Sequence, residues 1–257
     1  MSKTLKRVIV LIVITLGLLI FAGVEVKAAD ITSIEDLTKY LADKDVKIEN
    51  NTITLNEDLN LNEDFPVFKK GEYTIDLNGK LIESGEFEIE GGTVTIKDSK
   101  ENGEMTAYIV IRENGTVNVK NGIFSNGFEN SGTLNIDNGT IVSIINIGTT
   151  NIKNATVEEI IFNEQSGILN IDNGTFRALA QMGTLTINGG KFTSSNHTLM
   201  IYPNAEKTTL TGGEFIATIT EAELEEEAKE NGIEKEEISA ITIQKKVKFL
   251  LQNYTIC

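Results

Sequence analysis

The sequence contains few of the side chains from which catalytic and metal sites are most often built. Among its 257 residues it has one histidine, His197, one cysteine, Cys257, and no tryptophan. A single cysteine excludes an intramolecular disulfide, and one histidine with one cysteine does not supply the ligands of a zinc site. No loop has the ligand spacing of a known calcium site, which leaves open only weak calcium binding by aspartate and glutamate side chains. We therefore expect no metal ion and no cofactor.

Positive charge is also scarce. The chain has 23 lysine and arginine residues against 38 aspartate and glutamate residues, which gives a net charge of −15. A surface of this sign repels nucleic acid and acidic polysaccharides, because like charges oppose close approach. Nucleic acid is therefore not an expected partner.

What the sequence does have is a short repeat. Its clearest copy reads Gly-Thr-Leu-Asn-Ile-Asp-Asn-Gly-Thr-Ile at residues 132–141. The unit alternates apolar and polar residues, continues with Asn-Gly (Asn-Ala in the weakest copy), and has an apolar residue two positions later. Alternation with a period of two predicts a strand with one buried face, and Asn-Gly predicts a turn. The other copies lie at 115–124, 167–176 and 183–192, with a weaker one at 149–157.

The spacing of the copies predicts a solenoid. Nine turn positions between Asn56 and Gly212 align in one column, separated by 16 to 23 residues. One such unit cannot bury its own apolar face, so neighbouring units are expected to stack. In the stack the turn asparagines would lie above one another at about 4.8 Å and form a buried ladder of hydrogen-bonded amides. The predicted ladder residues are Asn121, Asn138, Asn154 and Asn173.

Three other repeat folds fit the pattern less well. Asn-Gly is also the usual signal of a two-residue hairpin, but a hairpin repeat does not account for the same residues at the same offset in every copy. A left-handed β-helix needs a strict hexapeptide period, which the variable gaps break. A leucine-rich repeat places its asparagine differently, and no helical pattern separates the copies.

The alternating strands and aligned turn asparagines resemble the right-handed parallel β-helices of the pectate-lyase-like superfamily, as found in bacterial secreted and cell-surface proteins. The resemblance covers about residues 53–215 and implies an all-β, right-handed parallel β-helix solenoid. It includes no catalytic motif. Lyases of this fold need an arginine or lysine base beside calcium-binding carboxylates, whereas the only arginines after residue 28 are Arg112 and Arg177. Hydrolases of this fold need several converging carboxylates. We expect no catalytic residue.

The N-terminus predicts export. Lys3, Lys6 and Arg7 precede the apolar run 8–24, and Val-Lys-Ala at 26–28 offers a cleavage site, so residues 1–28 are interpreted as a signal peptide. Its removal takes away four basic residues and one acidic residue, which changes the net charge from −15 to −18. If uncleaved, residues 8–24 would be an N-terminal membrane anchor. Either way the protein is expected to be secreted or exposed at a bacterial cell surface.

Two short helices are predicted to flank the solenoid. Residues 33–41 begin with the N-cap Ser33 and carry Leu37 and Leu41 on one apolar stripe, which would cover the first coil. Thr220 and Gly232 are the start and stop signals of an acidic helix, followed by closing strands at 238–243 and 247–251. The expected domains are 29–50 for the N-terminal cap, 51–219 for the β-helix, and 220–257 for the C-terminal helix and closing strands.

Two columns of polar residues are predicted to face outward. Lys120, Asp137, Lys153 and Asp172 alternate in charge from coil to coil, which is typical of surface ion pairing. A row of asparagines offers a flat polar face for carbohydrate, although it could equally be a solvated strand face. This candidate ligand row consists of Asn118, Asn135, Asn151 and Asn170.

Two functions remain open on the sequence. The first is an exported, non-catalytic β-helix scaffold or adhesin-like surface-interaction protein, with cell-wall or host glycans or a surface protein as the expected partner. The second is a carbohydrate-binding or polysaccharide-degrading protein of the pectate-lyase-like kind. Carboxylates or aromatic rings meeting in one groove would favour the second function.

Overall fold

The computed structural model describes residues 28–61, 65–194, 198–217 and 254–256. This part of the chain holds one helix, α1 (Ile34–Tyr40), and 25 strands. In chain order the strands are β1 (Ala29–Ile31), β2 (Val46–Glu49), β3 (Thr52–Leu55), β4 (Leu59–Asn60), β5 (Pro66–Phe68), β6 (Glu72–Asp76), β7 (Leu81–Glu83), β8 (Glu86–Lys97), β9 (Glu104–Met105), β10 (Tyr108–Val119), β11 (Ile123–Phe124), β12 (Phe128–Asn130), β13 (Thr133–Ile136), β14 (Thr140–Ile141), β15 (Ile144–Asn146), β16 (Thr149–Ile152), β17 (Ala155–Asn163), β18 (Ile168–Ile171), β19 (Gly174–Gln181), β20 (Thr184–Ile187), β21 (Lys191–Ser194), β22 (Leu199–Ile201), β23 (Lys207–Leu210), β24 (Glu214–Ala217) and β25 (Tyr254–Ile256).

These strands wind into a right-handed parallel β-helix of about eight turns, as predicted. Each coil contributes to three parallel sheets. Sheet 1 consists of β3, β6, the end of β8, the end of β10, β13, β16, β18, β20 and β23. Sheet 2 consists of β4, β7, β9, β11, β14, the start of β17, the start of β19, β21 and β24. Sheet 3 consists of β1, β5, the start of β8, the start of β10, β12, β15, the end of β17, the end of β19 and β22.

The pairing between successive coils is parallel throughout the described sheets. Within the described residues, antiparallel pairing joins only β2 to β3 at one end of the solenoid and β23 to β25 at the other. A hairpin repeat would have paired neighbouring copies antiparallel, so the solenoid prediction is confirmed.

The core is built from the inward columns that the alternation predicts. The residue after each turn is fully buried from coil to coil, and Phe176, Phe192 and Phe215 stack with ring centroids 4.7 and 4.6 Å apart. Large side chains buried in this way each contribute about 1.5–3 kcal/mol, so these columns are the main source of stability. The whole column is Phe124, Ile141, Val157, Phe176, Phe192 and Phe215.

Glycine rather than asparagine takes the left-handed backbone at the turns of the central coils. Gly139 has a φ of +140° and Gly174 a φ of +134°, whereas the asparagines before them do not have positive φ. A Cβ at Gly174 would lie 2.3 Å from the carbonyl oxygen of Ala155 in the preceding coil. The second residue of Asn-Gly is therefore required both for its backbone angles and for the close stacking of coils.

The N-terminal end of the solenoid is closed as predicted. The hydroxyl of Ser33 accepts a hydrogen bond of 3.1 Å from the N–H of Asp36 and caps α1. Leu37 and Leu41 are buried and belong to the same core as the coils, and together with Ile53 they line a small apolar cavity. The apolar stripe of α1 thus covers the first coil, as capping elements of solenoids do.

At the other end, β25 adds an antiparallel strand to β23 of sheet 1. The predicted C-terminal helix at 220–232, the closing strands at 238–243 and 247–251, and residues 1–27 of the predicted signal peptide lie outside the described residues. In the part of the chain that is described, no helix combines the length and apolar character needed to cross a membrane.

Candidate functional site

The most regular surface of the protein is the outer side of sheet 1. Asn118, Asn135, Asn151 and Asn170 lie in register on β10, β13, β16 and β18, since successive copies of the repeat pair without a shift. Each side-chain amide donates to the side-chain oxygen of the asparagine in the preceding coil, and all three distances are 2.9 Å. The predicted ligand row is therefore a hydrogen-bonded ladder, continued by a longer 3.4 Å contact from Asn118 to the Thr95 hydroxyl.

The ladder leaves polar groups for a ligand. A side-chain amide has two N–H donors and an oxygen with two lone pairs, and the ladder uses one donor and one lone pair of Asn135. The same holds for Asn151. Since each amide is held by its neighbours, the remaining groups are pre-oriented at the repeat of the sheet, about 4.8 Å.

A row of threonines runs beside the ladder. These residues lie two positions earlier in each strand and stand in register across sheet 1. They are half-buried, and the row is interrupted by Ile168, whose side chain is 43% exposed. The row consists of Thr93, Thr116, Thr133, Thr149 and Thr184.

A charged row borders the ladder on its other side. The carboxylate of Asp137 contacts the ammonium groups of Lys120 and Lys153, each at 2.6 Å. Hydrogen bonds from Lys120 and then from Lys153 lower the pKa of Asp137. Asp172, further along the row, accepts a 2.9 Å hydrogen bond from Asn188. The predicted ion pairing along this column is confirmed for its first three members.

The predicted buried ladder of turn asparagines is wrong. Asn138, Asn154 and Asn173 are exposed and Asn121 is half-buried. Among these four, the structure brings Asn154 and Asn138 to 3.5 Å, the limit of a hydrogen bond. Asn121 instead binds the backbone of Asp98, donating to its carbonyl oxygen and accepting from its N–H, both at 2.7 Å.

A buried ladder does exist, but other residues form it. Asn130, Asn146, Asn163 and Gln181 end the strands of sheet 3, point inward and are fully buried. Asn130 donates to Asn146 at 3.0 Å, Asn146 to Asn163 at 2.7 Å, and Asn163 to Gln181 at 2.7 Å. The sequence carries a signal for three of the four, because Asn130, Asn146 and Gln181 each lie two residues before a glycine that immediately precedes the next strand.

A cluster of titratable side chains lies on the outer face of sheet 3. Arg112 contacts Glu88 at 2.5 Å, and the Tyr108 hydroxyl contacts Glu129 at 3.3 Å. Burial raises the pKa of Glu86, and the neighbouring charges of Glu88 and Glu129 raise it further, against the opposing effect of Arg112. Burial also raises the pKa of Tyr108, with Glu129 and Glu86 adding to the effect.

The single histidine and a further tyrosine are the remaining titratable residues of interest. His197 lies outside the described residues. Burial and the charge of Glu164 raise the pKa of Tyr202. Within the described residues, no group of three or more histidine, cysteine, aspartate or glutamate side chains is arranged to hold a metal ion.

Comparison with known proteins adds no relative. No protein-family model, no curated protein and no solved structure matches the chain. The class that the structure defines is therefore that of a parallel β-helix.

Proposed function

We propose that this chain is an exported, non-catalytic β-helix protein of the pectate-lyase-like kind that binds a neutral glycan at a bacterial cell surface. The observation that carries the proposal is the asparagine ladder on the outer face of sheet 1, whose side-chain amides are joined by hydrogen bonds of 2.9 Å. Its free amide groups and the adjoining threonine hydroxyls supply donors and acceptors suited to sugar hydroxyls.

The rigidity of the ladder supports binding. A side chain that is held before the ligand arrives loses little rotamer entropy on binding, so the free-energy cost of ordering it is small. Asn135 and Asn151 are each held by two neighbours in the row. The surface is flat and repeats along the rod, which suits a linear polymer better than a single sugar.

Charge selects against acidic polymers. The chain carries −15 overall, and the two lysines nearest the ladder are already paired with Asp137. An acidic polysaccharide would meet repulsion without compensating cations, since screening at physiological salt acts over about 8 Å. The proposed ligand class is therefore a neutral glycan of a cell wall or a host surface.

Export rests on the N-terminal sequence. Lys3, Lys6 and Arg7 precede the apolar run 8–24, in the order that a secretory signal requires. Secretion and retention at the cell surface both place the β-helix outside the cell, where such glycans occur. If residues 8–24 are not cleaved, they anchor the β-helix in the membrane of the cell that produces it.

A glycan array tests the proposal. The full chain should bind a subset of neutral glycans equally with and without added calcium, and acidic glycans should give no signal. Binding confined to acidic glycans, or dependent on calcium, would overturn the assignment.

A further inference from the structure

The outer face of sheet 3 changes character along the rod. Its central column starts with two glutamates separated by a buried valine and ends with four apolar residues, and each member is the Cα partner of the next. In coil order the column reads Glu88, Val110, Glu129, Ile145, Phe162, Ala180 and Met200. We call Ile145, Phe162, Ala180 and Met200 the apolar strip.

The apolar strip is unlike the outer faces of the other sheets. Ile145, Phe162 and Met200 are half-buried, and Ala180, which lies between Phe162 and Met200 in the column, is fully buried. The outward residues of the same coils in sheet 1 are instead mostly threonine and asparagine. Ile160 and Ala178 extend the strip sideways, since they are neighbouring Cα partners on β17 and β19. A contiguous apolar patch on an outer face is typical of an interaction surface.

Acidic side chains surround the apolar strip. Glu129 precedes it in the column, Glu159 lies next to Ile160 within β17, and Glu164 directly follows the end of β17. Two arginines lie near the strip. Arg112 is paired with Glu88, and Arg177 lies next to Ala178 in β19. The surface therefore offers an apolar centre with negative charge at one end and on both sides.

We propose that this surface docks a cationic amphipathic helix of a partner protein, lying along the axis of the rod. The strip covers three steps of about 4.8 Å, or about 14 Å, which matches about two and a half turns of an α-helix at a pitch of about 5.4 Å. One apolar stripe of the helix packs on Ile145, Phe162 and Met200. Lysine or arginine side chains flanking that stripe reach Glu129, Glu159 and Glu164.

Charge favours this occupant over a second copy of the chain. Two copies meeting through the strip would bring together surfaces of equal sign on chains that each carry −15. A cationic helix instead gains from the same carboxylates, which raise its rate of association and select against acidic partners.

The test is binding of synthetic peptides to the full chain by fluorescence anisotropy. The probe is a helix-forming peptide of about 14 residues, built from leucine on one stripe and lysine elsewhere. Two matched peptides replace lysine by glutamine or by glutamate. The lysine peptide should bind most tightly, the glutamine peptide more weakly, and the glutamate peptide not at all. Equal binding of all three, or of none, would overturn the proposal.

Variants locate the peptide. Phe162→Ser should weaken binding about tenfold, as expected for the loss of one half-buried aromatic contact, while Ile168→Ser on sheet 1 should leave it unchanged. Glu129→Gln should weaken binding at low salt but not at high salt, and Glu214→Gln on sheet 2 should have no effect at either. If only the control variants on sheet 1 or sheet 2 lost peptide binding, the site would not lie on sheet 3 and the proposal would be wrong.

Two further experiments test whether another occupant covers the apolar strip. Residues 238–251 of this chain contain Lys245, Lys246 and Lys248 among apolar residues, so they could compete with the peptide. Replacing these three lysines by glutamine should not change peptide affinity, and a clear gain in affinity would make the chain's own segment the occupant. Sedimentation should show a monomer; a dimer that Phe162→Ser dissociates would make a second copy the occupant. Either result contradicts the proposal.

Discussion

Asn146 donates a 2.7 Å hydrogen bond to the side-chain oxygen of Asn163 inside the core, and both residues are fully buried. A second bond runs from the Asn146 amide to the carbonyl oxygen of Ile168 at 3.1 Å. Because the Thr150 hydroxyl also donates to the oxygen of Asn146 at 2.7 Å, the side chain is satisfied on both its donor and acceptor sides. Polar groups can lie among apolar columns only when paired in this way.

The buried ladder should therefore be sensitive to truncation. We expect Asn146→Ala to lower the free energy of unfolding by about 3 kcal/mol, because it removes the buried hydrogen bonds that join Asn146 to Asn130, Thr150 and Asn163 and leaves the side-chain oxygen of Asn163 without its donor. Asn154→Ala, at an exposed turn, is the matched control and should change stability by less than about 0.5 kcal/mol. Urea unfolding measures both, and equal effects would contradict the buried ladder.

The first residue of this ladder should behave differently from its centre. Among the described residues, no group donates a hydrogen bond to the buried side-chain oxygen of Asn130, since the position before it in the column is Ile111. Replacing Asn130 by leucine removes that unpaired oxygen and continues the apolar column, so we expect a smaller loss of stability than for Asn163→Leu. Thermal unfolding of the two variants compares them directly, and the reverse order would contradict this account.

The outer ladder gives a second comparison. We expect Asn135→Ala to destabilise more than Asn138→Ala, by about 1 kcal/mol, because Asn135 bonds to both Asn118 and Asn151. Asn138 has a single contact at 3.5 Å. Equal midpoints in thermal unfolding would show that the 2.9 Å ladder is not maintained in solution.

Asp76 should make stability depend on pH. Burial alone would raise its pKa, but hydrogen bonds from Lys97, and from the N–H groups of Ser99 and Asn78, outweigh burial and lower it. Its contribution is therefore present above the unfolded pKa of about 3.9 and is lost as the pH falls through the lower folded value. The stability difference between wild type and Asp76→Asn should persist at about pH 6 and shrink below about pH 4. A difference that grows on acidification would contradict the assignment.

Pectate should not be cleaved. The proposed function requires no reaction, and a polyanionic substrate is opposed by the charge of the chain. Absorbance from unsaturated sugars and assay of new reducing ends, each with and without calcium, should both stay at background. Variants Glu86→Gln and Glu129→Gln serve as controls, and activity that they abolish would show that the cluster around Tyr108 is catalytic.

The strand pattern could be predicted from the sequence because alternation reports directly which side of a strand is buried. The same rule explains why the ladder at the turns was predicted wrongly. Asn138 is two positions after the inward Ile136, but β13 ends at Ile136, so the alternation of faces stops there and Asn138 lies in an exposed turn. Counting odd and even positions predicts which face a side chain lies on only within a continuous strand.

The buried ladder and the sheet 3 surface were less accessible to sequence reasoning. Asn146 and Asn163 are polar, so a search for apolar inward positions passes over them even though they are fully buried. The apolar strip and the cluster around Tyr108 each join residues from different coils. Their meeting depends on the register of sheet 3, which the irregular gaps between copies conceal.

The most direct test of the account is the affinity of the full chain for a neutral glycan found on the array, measured by titration calorimetry. Thr133→Val combined with Thr149→Val removes two hydroxyls beside the ladder without changing side-chain size. Thr156→Val combined with Thr175→Val makes the same change on the outer face of sheet 2. The account predicts that the first pair weakens binding about tenfold or more and the second leaves it unchanged. Equal affinity of both pairs and the wild type would contradict it.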